Sequence, residues 1–198
     1  KPPGSNHALF GGPCLIATIA LGLCSNPAKA QDAAAETTGP DLAFNAAAAS
    51  DYVFRGVSQT ESDPAVSAGV GVRQGVVYAG AWAGNVSFAG AADTVAEIDL
   101  YAGVRPEFGG FNWDFGVVGY FYTSQPDGAD YDYVELKAAT SRAVGSATLG
   151  AAIYYSPDFF GASEDEATYA EINGSISPAD KWTISAGLGG QWGSGGLG

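Results

Sequence analysis

The chain has 198 residues, enough for one domain of ordinary size, and its 8 Lys plus Arg against 21 Asp plus Glu give a formal net charge of −13. That balance excludes a nucleic-acid binder, which needs a basic face. Only 15% of residues are charged while 12% are aromatic, which excludes a disordered chain, rich in charge and poor in aromatics.

The first element in chain order reads as an address. Residue 1 is Lys rather than Met, so the N-terminus is expected to be processed or partial. Residues 1–30 contain no Asp or Glu; Lys1 and His7 precede an apolar run from Cys14 to Cys24, and Ala28-Lys29-Ala30 supplies an A-x-A cleavage site. This is the layout of a secretory signal peptide. The run is shorter than the roughly 20 residues a spanning helix needs. A lipoprotein signal ending at Cys24 is the rival reading, and the bulky Leu23 stands against it where a small residue is expected.

Removal of residues 1–30 would take away both Cys and the only His, leaving 6 basic and 21 acidic residues and a net charge of −15. Residues 31–198 then contain no Cys, His or Met, which excludes disulfides, thiolate or imidazole catalysis, Ser/His/Asp hydrolysis and Cys/His metal sites. There is no G-x-x-x-x-G-K-[ST] phosphate loop either. The expectation is a protein that is not an enzyme and carries no cofactor or metal. Glu97 and Asp99 share a strand face and could form an acid–base pair, but a role as lining residues explains them equally well.

Residues 31–40 read as a flexible lead-in, and from 41 onward period-two alternation dominates. Leu42, Phe44, Ala46 and Ala48 share a face that continues to Tyr52 and Phe54; Val66, Ala68, Val70 and Val72 share the next. Tyr78, Gly80, Trp82, Gly84 and Val86 form a third set, and Ile98, Leu100, Ala102 and Val104 a fourth, opposite Glu97, Asp99, Tyr101, Gly103 and Arg105. Five more segments follow, carrying Phe111 to Phe121, Val134 to Ala138, Ala147 to Ile153, Ala170 to Ile176 and Trp182 to Leu188 on their apolar faces. These nine candidate strands run to about ten residues each, the length of a tilted membrane strand, whereas globular strands average about 5–6.

The connections alternate as well. Short turns are expected near 74–75, 107–110, 144–145 and 177–180, and longer acidic loops near 57–64, 87–94, 123–131 and 156–167. Up-and-down outer-membrane barrels have this asymmetry. A soluble β-sandwich also alternates apolar and polar residues, so the composition of the polar face decides. Here that face is mostly Gly, Ser, Ala, Asn and Tyr, which suits a barrel interior better than a water-facing sheet guarded by Lys. Tyr52, Phe54, Phe111, Trp113 and Trp182 are expected to form an aromatic girdle on the apolar face.

The run Ser50-Asp51-Tyr52-Val53-Phe54-Arg55-Gly56-Val57-Ser58-Gln59-Thr60 resembles the opening signature of the TorF-type porins, the Gcw_chp family of proteobacterial proteins. Trp82-Ala83-Gly84-Asn85-Val86 and Glu97-Ile98-Asp99-Leu100-Tyr101 fall where that family's next blocks fall, so the similarity covers about 41–192. The resemblance implies an outer-membrane barrel with a channel role. Members close on a strand ending in an aromatic residue, whereas this chain runs out through Gly193 to Gly198. The reading is therefore an all-β, antiparallel up-and-down transmembrane β-barrel over 41–198, truncated at its C-terminus. Nine strands are readable, about twelve are expected in the complete protein, and ten is the alternative, because bacterial barrels have even numbers.

The candidate pore residues are the isolated charges on the polar face: Arg55, Glu97, Asp99, Glu135, Lys137 and Glu171. Charges in a narrow interior must pair or stay wet. Arg55 is expected to meet Glu97 or Asp99, and Lys137 to meet Glu135 or Glu171. The pairs either plug and stabilise a small barrel or form a charged constriction that selects solutes. The expected function is a narrow outer-membrane porin for ions or small polar solutes, with a mild cation preference because acids exceed bases. The alternative is a non-conducting structural or adhesive barrel. Expected partners are outer-membrane lipid, lipopolysaccharide and small solutes. The loop with Asp158, Glu164, Asp165 and Glu166 matches no EF-hand spacing and reads as a solvated loop that bridges lipopolysaccharide through divalent ions.

Overall fold

A computed structural model describes residues 14–20, 39–88, 94–160, 165–179 and 182–193. The described strands are β1 (Cys14–Ala20), β2 (Asp41–Ala49), β3 (Val53–Phe54), β4 (Val57–Ser58), β5 (Ala65–Gln74), β6 (Val77–Asn85), β7 (Ala96–Val104), β8 (Glu107–Phe108), β9 (Phe111–Tyr122), β10 (Tyr133–Val144), β11 (Ala147–Ser156), β12 (Ala167–Ala179) and β13 (Trp182–Gly193). No helix occurs among the described residues. Eleven strands form one antiparallel sheet in the order β1-β13-β12-β11-β10-β9-β7-β6-β5-β2, with β8 paired to β9 at one end. The β3–β4 hairpin stands apart from this sheet.

The long strands β2, β5, β6, β7 and β9 to β13 correspond to the nine segments read from alternation. Among these long strands each neighbouring pair follows in chain order, interrupted only by the β3–β4 hairpin between β2 and β5 and by the short β8 between β7 and β9, which gives the up-and-down meander. Among the described residues no ladder joins β1 to β2, so the sheet is open and does not close into a barrel. Within the expected leader, Cys14–Ala20 lies antiparallel on β13, from Cys14 opposite Gln191 to Ala20 opposite Ser185. The rest of residues 1–30, and 31–38 of the lead-in, lie outside the described residues.

The connections separate by length, as expected. At one end, β5–β6 and β10–β11 are joined by two-residue loops whose first residue is Gly75 (φ 59°) or Gly145 (φ 63°). A II′ hairpin needs a positive φ at that position, and Gly supplies it without a Cβ clash. At the other end lie the described residues of the longer connections: 50–64, 86–88 with 94–95, 123–132, and 157–160 with 165–166.

The exposure pattern is inverted relative to a water-soluble sheet. Phe44, Ile98, Leu100, Val117, Leu136, Leu149, Ile153, Ile172 and Ile184 are exposed on one face. On the other, Tyr78, Glu97, Tyr120, Tyr133, Glu135 and Tyr169 are buried. The sheet is also curled. Phe88 follows β6 and Phe160 follows β11, four strand spacings apart, which is about 19 Å on a flat sheet. Their ring centroids are 5.7 Å apart. The polar face is thus the inside of the curl, and Phe88 and Phe160 bring the starts of two long connections together over one end of it.

The aromatic cluster of Val86, Tyr120, Tyr122, Tyr133, Phe159 and Ala167 fills that end, with Tyr52, Phe54, Phe88 and Phe160 packed on it. Nearer the short turns, inward glycines make seats for tyrosine rings. A Cβ on Gly103 would lie 2.6 Å from the Tyr78 hydroxyl oxygen and would also strike the Phe115 carbonyl oxygen. The Phe115 carbonyl belongs to a paired strand and has little freedom to retreat. Gly103→Ala is therefore expected to destabilise the fold by about 1–3 kcal/mol, the usual cost of overpacking, read as a lower urea midpoint in detergent micelles.

Two inner-face assignments differ from the sequence reading. Tyr52 and Phe54 were expected on the apolar girdle, but the strand stops at Ala49 and both residues pack inward, Tyr52 on Trp82 and Phe54 on Tyr120. Tyr78 and Trp82 also point inward, because β6 pairs Tyr78 with Gly103 and Trp82 with Asp99. The outward aromatics at the short-turn end are Phe108, Phe111 and Trp182, with Trp113 stacked on Phe108 at 5.0 Å.

Candidate functional site

The segment 50–60 folds into a hairpin laid across the inner face. Its turn is Arg55-Gly56, both with positive φ (48° and 82°). Such a backbone costs a non-glycine residue on the order of 1–3 kcal/mol and persists only where the surroundings hold it. Asp51 ties the two arms: its Oδ1 accepts from the Ser58 hydroxyl at 2.7 Å and lies 2.8 Å from the Thr60 hydroxyl. Thr60 is fully buried and accepts from the Tyr52 amide at 3.1 Å, while the Gln59 amide donates to the Tyr52 carbonyl at 2.6 Å.

Arg55 latches the hairpin to the sheet. Its Nη1 and Nη2 donate to Oε1 and Oε2 of Glu135, each at 2.7 Å, a bidentate pair between side chains that are only 8% and 2% exposed. The guanidinium lies 4.2 Å from the Tyr169 ring centroid and 4.9 Å from that of Tyr154. Tyr120 donates its hydroxyl to Glu135 Oε2 at 3.1 Å. A planar, weakly hydrated cation suits this cage, since it stacks on rings and offers a fork to the carboxylate.

Tyr52 makes the second anchor, donating its hydroxyl to Glu97 Oε1 at 2.9 Å. Burial, together with the Glu97 carboxylate beside it, pushes the Tyr52 phenol well above its ordinary range, so it remains a donor. Asp99 lies two residues along on the same face, with a buried Oδ1 that has no hydrogen-bond partner.

The third charged group sits nearer the short turns. Asp114 Oδ2 accepts from Lys137 Nζ at 2.8 Å and Arg105 Nε at 3.0 Å, and its Oδ1 accepts from the Tyr78 hydroxyl at 2.6 Å. Glu171 accepts from the Tyr169 hydroxyl at 3.1 Å and from Asn173 Nδ2 at 2.8 Å.

All six candidate residues thus belong to the inner face or its hairpin, but the expected partners change. Arg55 pairs with Glu135, not with Glu97 or Asp99. Lys137 pairs with Asp114, not with Glu135 or Glu171. Alternation tells which side a residue faces, whereas the partner depends on the curl and on where the hairpin lands. Asp114 and Arg105 were not among the candidates, although their positions in the alternation already placed them on the polar face. Glu164 of the acidic loop lies outside the described residues.

These features define a class: an antiparallel meander with its apolar face outward and a polar, aromatic face curled around a latched hairpin. The chain belongs to the Gcw_chp family, bacterial proteins of unknown function, whose model matches residues 33–197. No curated protein and no solved structure matches it.

Proposed function

We propose that this protein is an outer-membrane porin of the TorF type, exported by its leader, in which the long strands β2, β5 to β7 and β9 to β13 form the wall of a closed barrel around the hairpin. The observation that carries the reading is the inverted exposure. Ile172 is 63% exposed and Leu136 58%, while Glu135 is 1% exposed. Water penalises that arrangement, and lipid outside a polar lumen rewards it. Strands of 9–13 residues have the length to cross the hydrocarbon layer at a tilt. The solutes are ions or small polar molecules. Glu97 and Asp99 have no salt-bridge partner among the described residues, and this pair of acidic side chains beside the hairpin supports a mild cation preference for the pore.

The test is single-channel recording with the full-length protein in planar bilayers. Cation-selective conductance is expected, with selectivity reduced in the Glu97→Gln/Asp99→Asn double variant. Absence of conductance, or an anion preference that the variant leaves unchanged, refutes the channel. One observation favours a second reading, a structural or adhesive barrel that does not conduct: the hairpin and its aromatic neighbours fill the loop end of the inner face. Silent bilayers combined with heat-modifiable gel migration would select it.

A further inference from the structure

On the short-turn side of the Arg55 latch, the inner face lines a half-open cavity of about 770 Å3. Its charged lining is divided between two walls. One wall carries Arg73, Arg105 and Lys137 with Asp114 and, at the rim, Glu107. Asp114 alone serves both Arg105 and Lys137. Arg73 donates Nε to the Gly75 carbonyl at 3.0 Å and has no acidic partner among the described residues. This wall keeps an excess of one positive charge. The other wall carries Glu171, which takes hydrogen bonds from Tyr169 and Asn173 but has no cation beside it among the described residues.

Between the walls the floor is cleared. Asp114 lies opposite Ala139, Ala139 opposite Ala152, and Ala152 opposite Glu171, so one lateral row crosses β9, β10, β11 and β12 with two alanines in the middle. Three strand spacings put the ends of the row about 14 Å apart along the sheet. Once the side chains reach inward, the gap suits a solute a few atoms long. The lining as a whole is neutral but strongly dipolar. An ion of one sign would satisfy one wall and leave the other unmatched.

We propose that this cavity is a binding subsite for small zwitterions, with the solute carboxylate on Arg105, Lys137 and Arg73 and its ammonium on Glu171. The proposal rests on the porin reading for its biological sense, but its test does not require conduction. Full-length protein in detergent micelles is titrated calorimetrically with glycylglycine, with N-acetylglycylglycine, which lacks the ammonium, and with glycylglycinamide, which lacks the carboxylate. The zwitterion should bind about tenfold tighter than either, the lower end of what one hydrogen bond to a charged group contributes in water. Glu171→Gln should erase its advantage over the acetylated probe, and Arg105→Gln its advantage over the amide. Arg73→Gln serves as the second cationic-wall variant if Arg105→Gln fails to fold. Equal binding of the three probes, no binding of any, or a ranking unchanged by the variants overturns the subsite. Binding with the expected ranking in a protein that passes no current overturns the channel and leaves the subsite standing.

Discussion

Arg55→Gln should lower the stability of the folded protein by about 3–5 kcal/mol, because it leaves the Glu135 carboxylate buried without its charge partner. The geometry makes this cost hard to escape. Glu135 is 1% exposed, and its remaining donor is the Tyr120 hydroxyl at 3.1 Å, so water cannot replace the lost fork. Glu135→Gln should cost a similar amount by stranding the guanidinium among Tyr154, Tyr169 and Phe54. The double variant should recover part of the loss, since neither charge is then left alone. Urea titration in micelles, followed by tryptophan fluorescence, reads all three. If the pair is a latch, Arg55→Gln also releases the hairpin and raises single-channel conductance. A change below about 1 kcal/mol would mean that the pair behaves like a surface ion pair and holds nothing.

Leu100→Arg should block assembly into lipid. Leu100 lies mid-strand in β7, 53% exposed on the outward face. An arginine facing lipid at the bilayer midplane costs about 2–4 kcal/mol, falling to about 0–1 kcal/mol near the interfaces. Val104→Arg, at the short-turn end of the same strand and face, is therefore the internal comparison and should be nearly silent. Heat-modifiable migration after refolding into vesicles measures the folded fraction for each. A sheet whose apolar face met water would tolerate both substitutions within about 0.5 kcal/mol. The contrast between the two positions separates a lipid-facing wall from a soluble one without any assumption about transport.

The resemblance on Ser50 to Thr60 acquires a physical content in the structure. Asp51 braces the arms, Tyr52 and Arg55 anchor to Glu97 and Glu135, Phe54 packs on Tyr120, and Gly56 completes the turn. The sequence reading treated Tyr52 and Phe54 as the end of the first strand. Their alternation fits a strand, and although Ser50-Asp51 and Gly56 are turn formers, Arg55 takes a positive φ that its residue type does not advertise. The bonds between the hairpin's own arms and the contacts of Arg55 with strands far along the chain, 80 residues away in the case of Glu135, hold it there together.

Period-two alternation over segments of about ten residues was sufficient to determine the nine long strands, their chain order, their short and long connections and, for most of them, which side chains share a face, but not β1, β8 or the β3–β4 hairpin. It also placed Glu97, Asp99, Glu135, Lys137 and Glu171 together, because these charges recur on the face opposite Ile98, Val134 and Ile172, whereas Arg55 reaches them from the hairpin turn, where the alternation no longer holds. The tertiary structure decided what no strand carries locally: the curl of the sheet, the inward turn of Tyr78 and Trp82, and the choice of Glu135 for Arg55 and Asp114 for Lys137. Those outcomes depend on which strands lie side by side and on how far the 50–60 hairpin reaches across them. A repeat of two residues specifies a side, while a partner is specified by distance across the sheet.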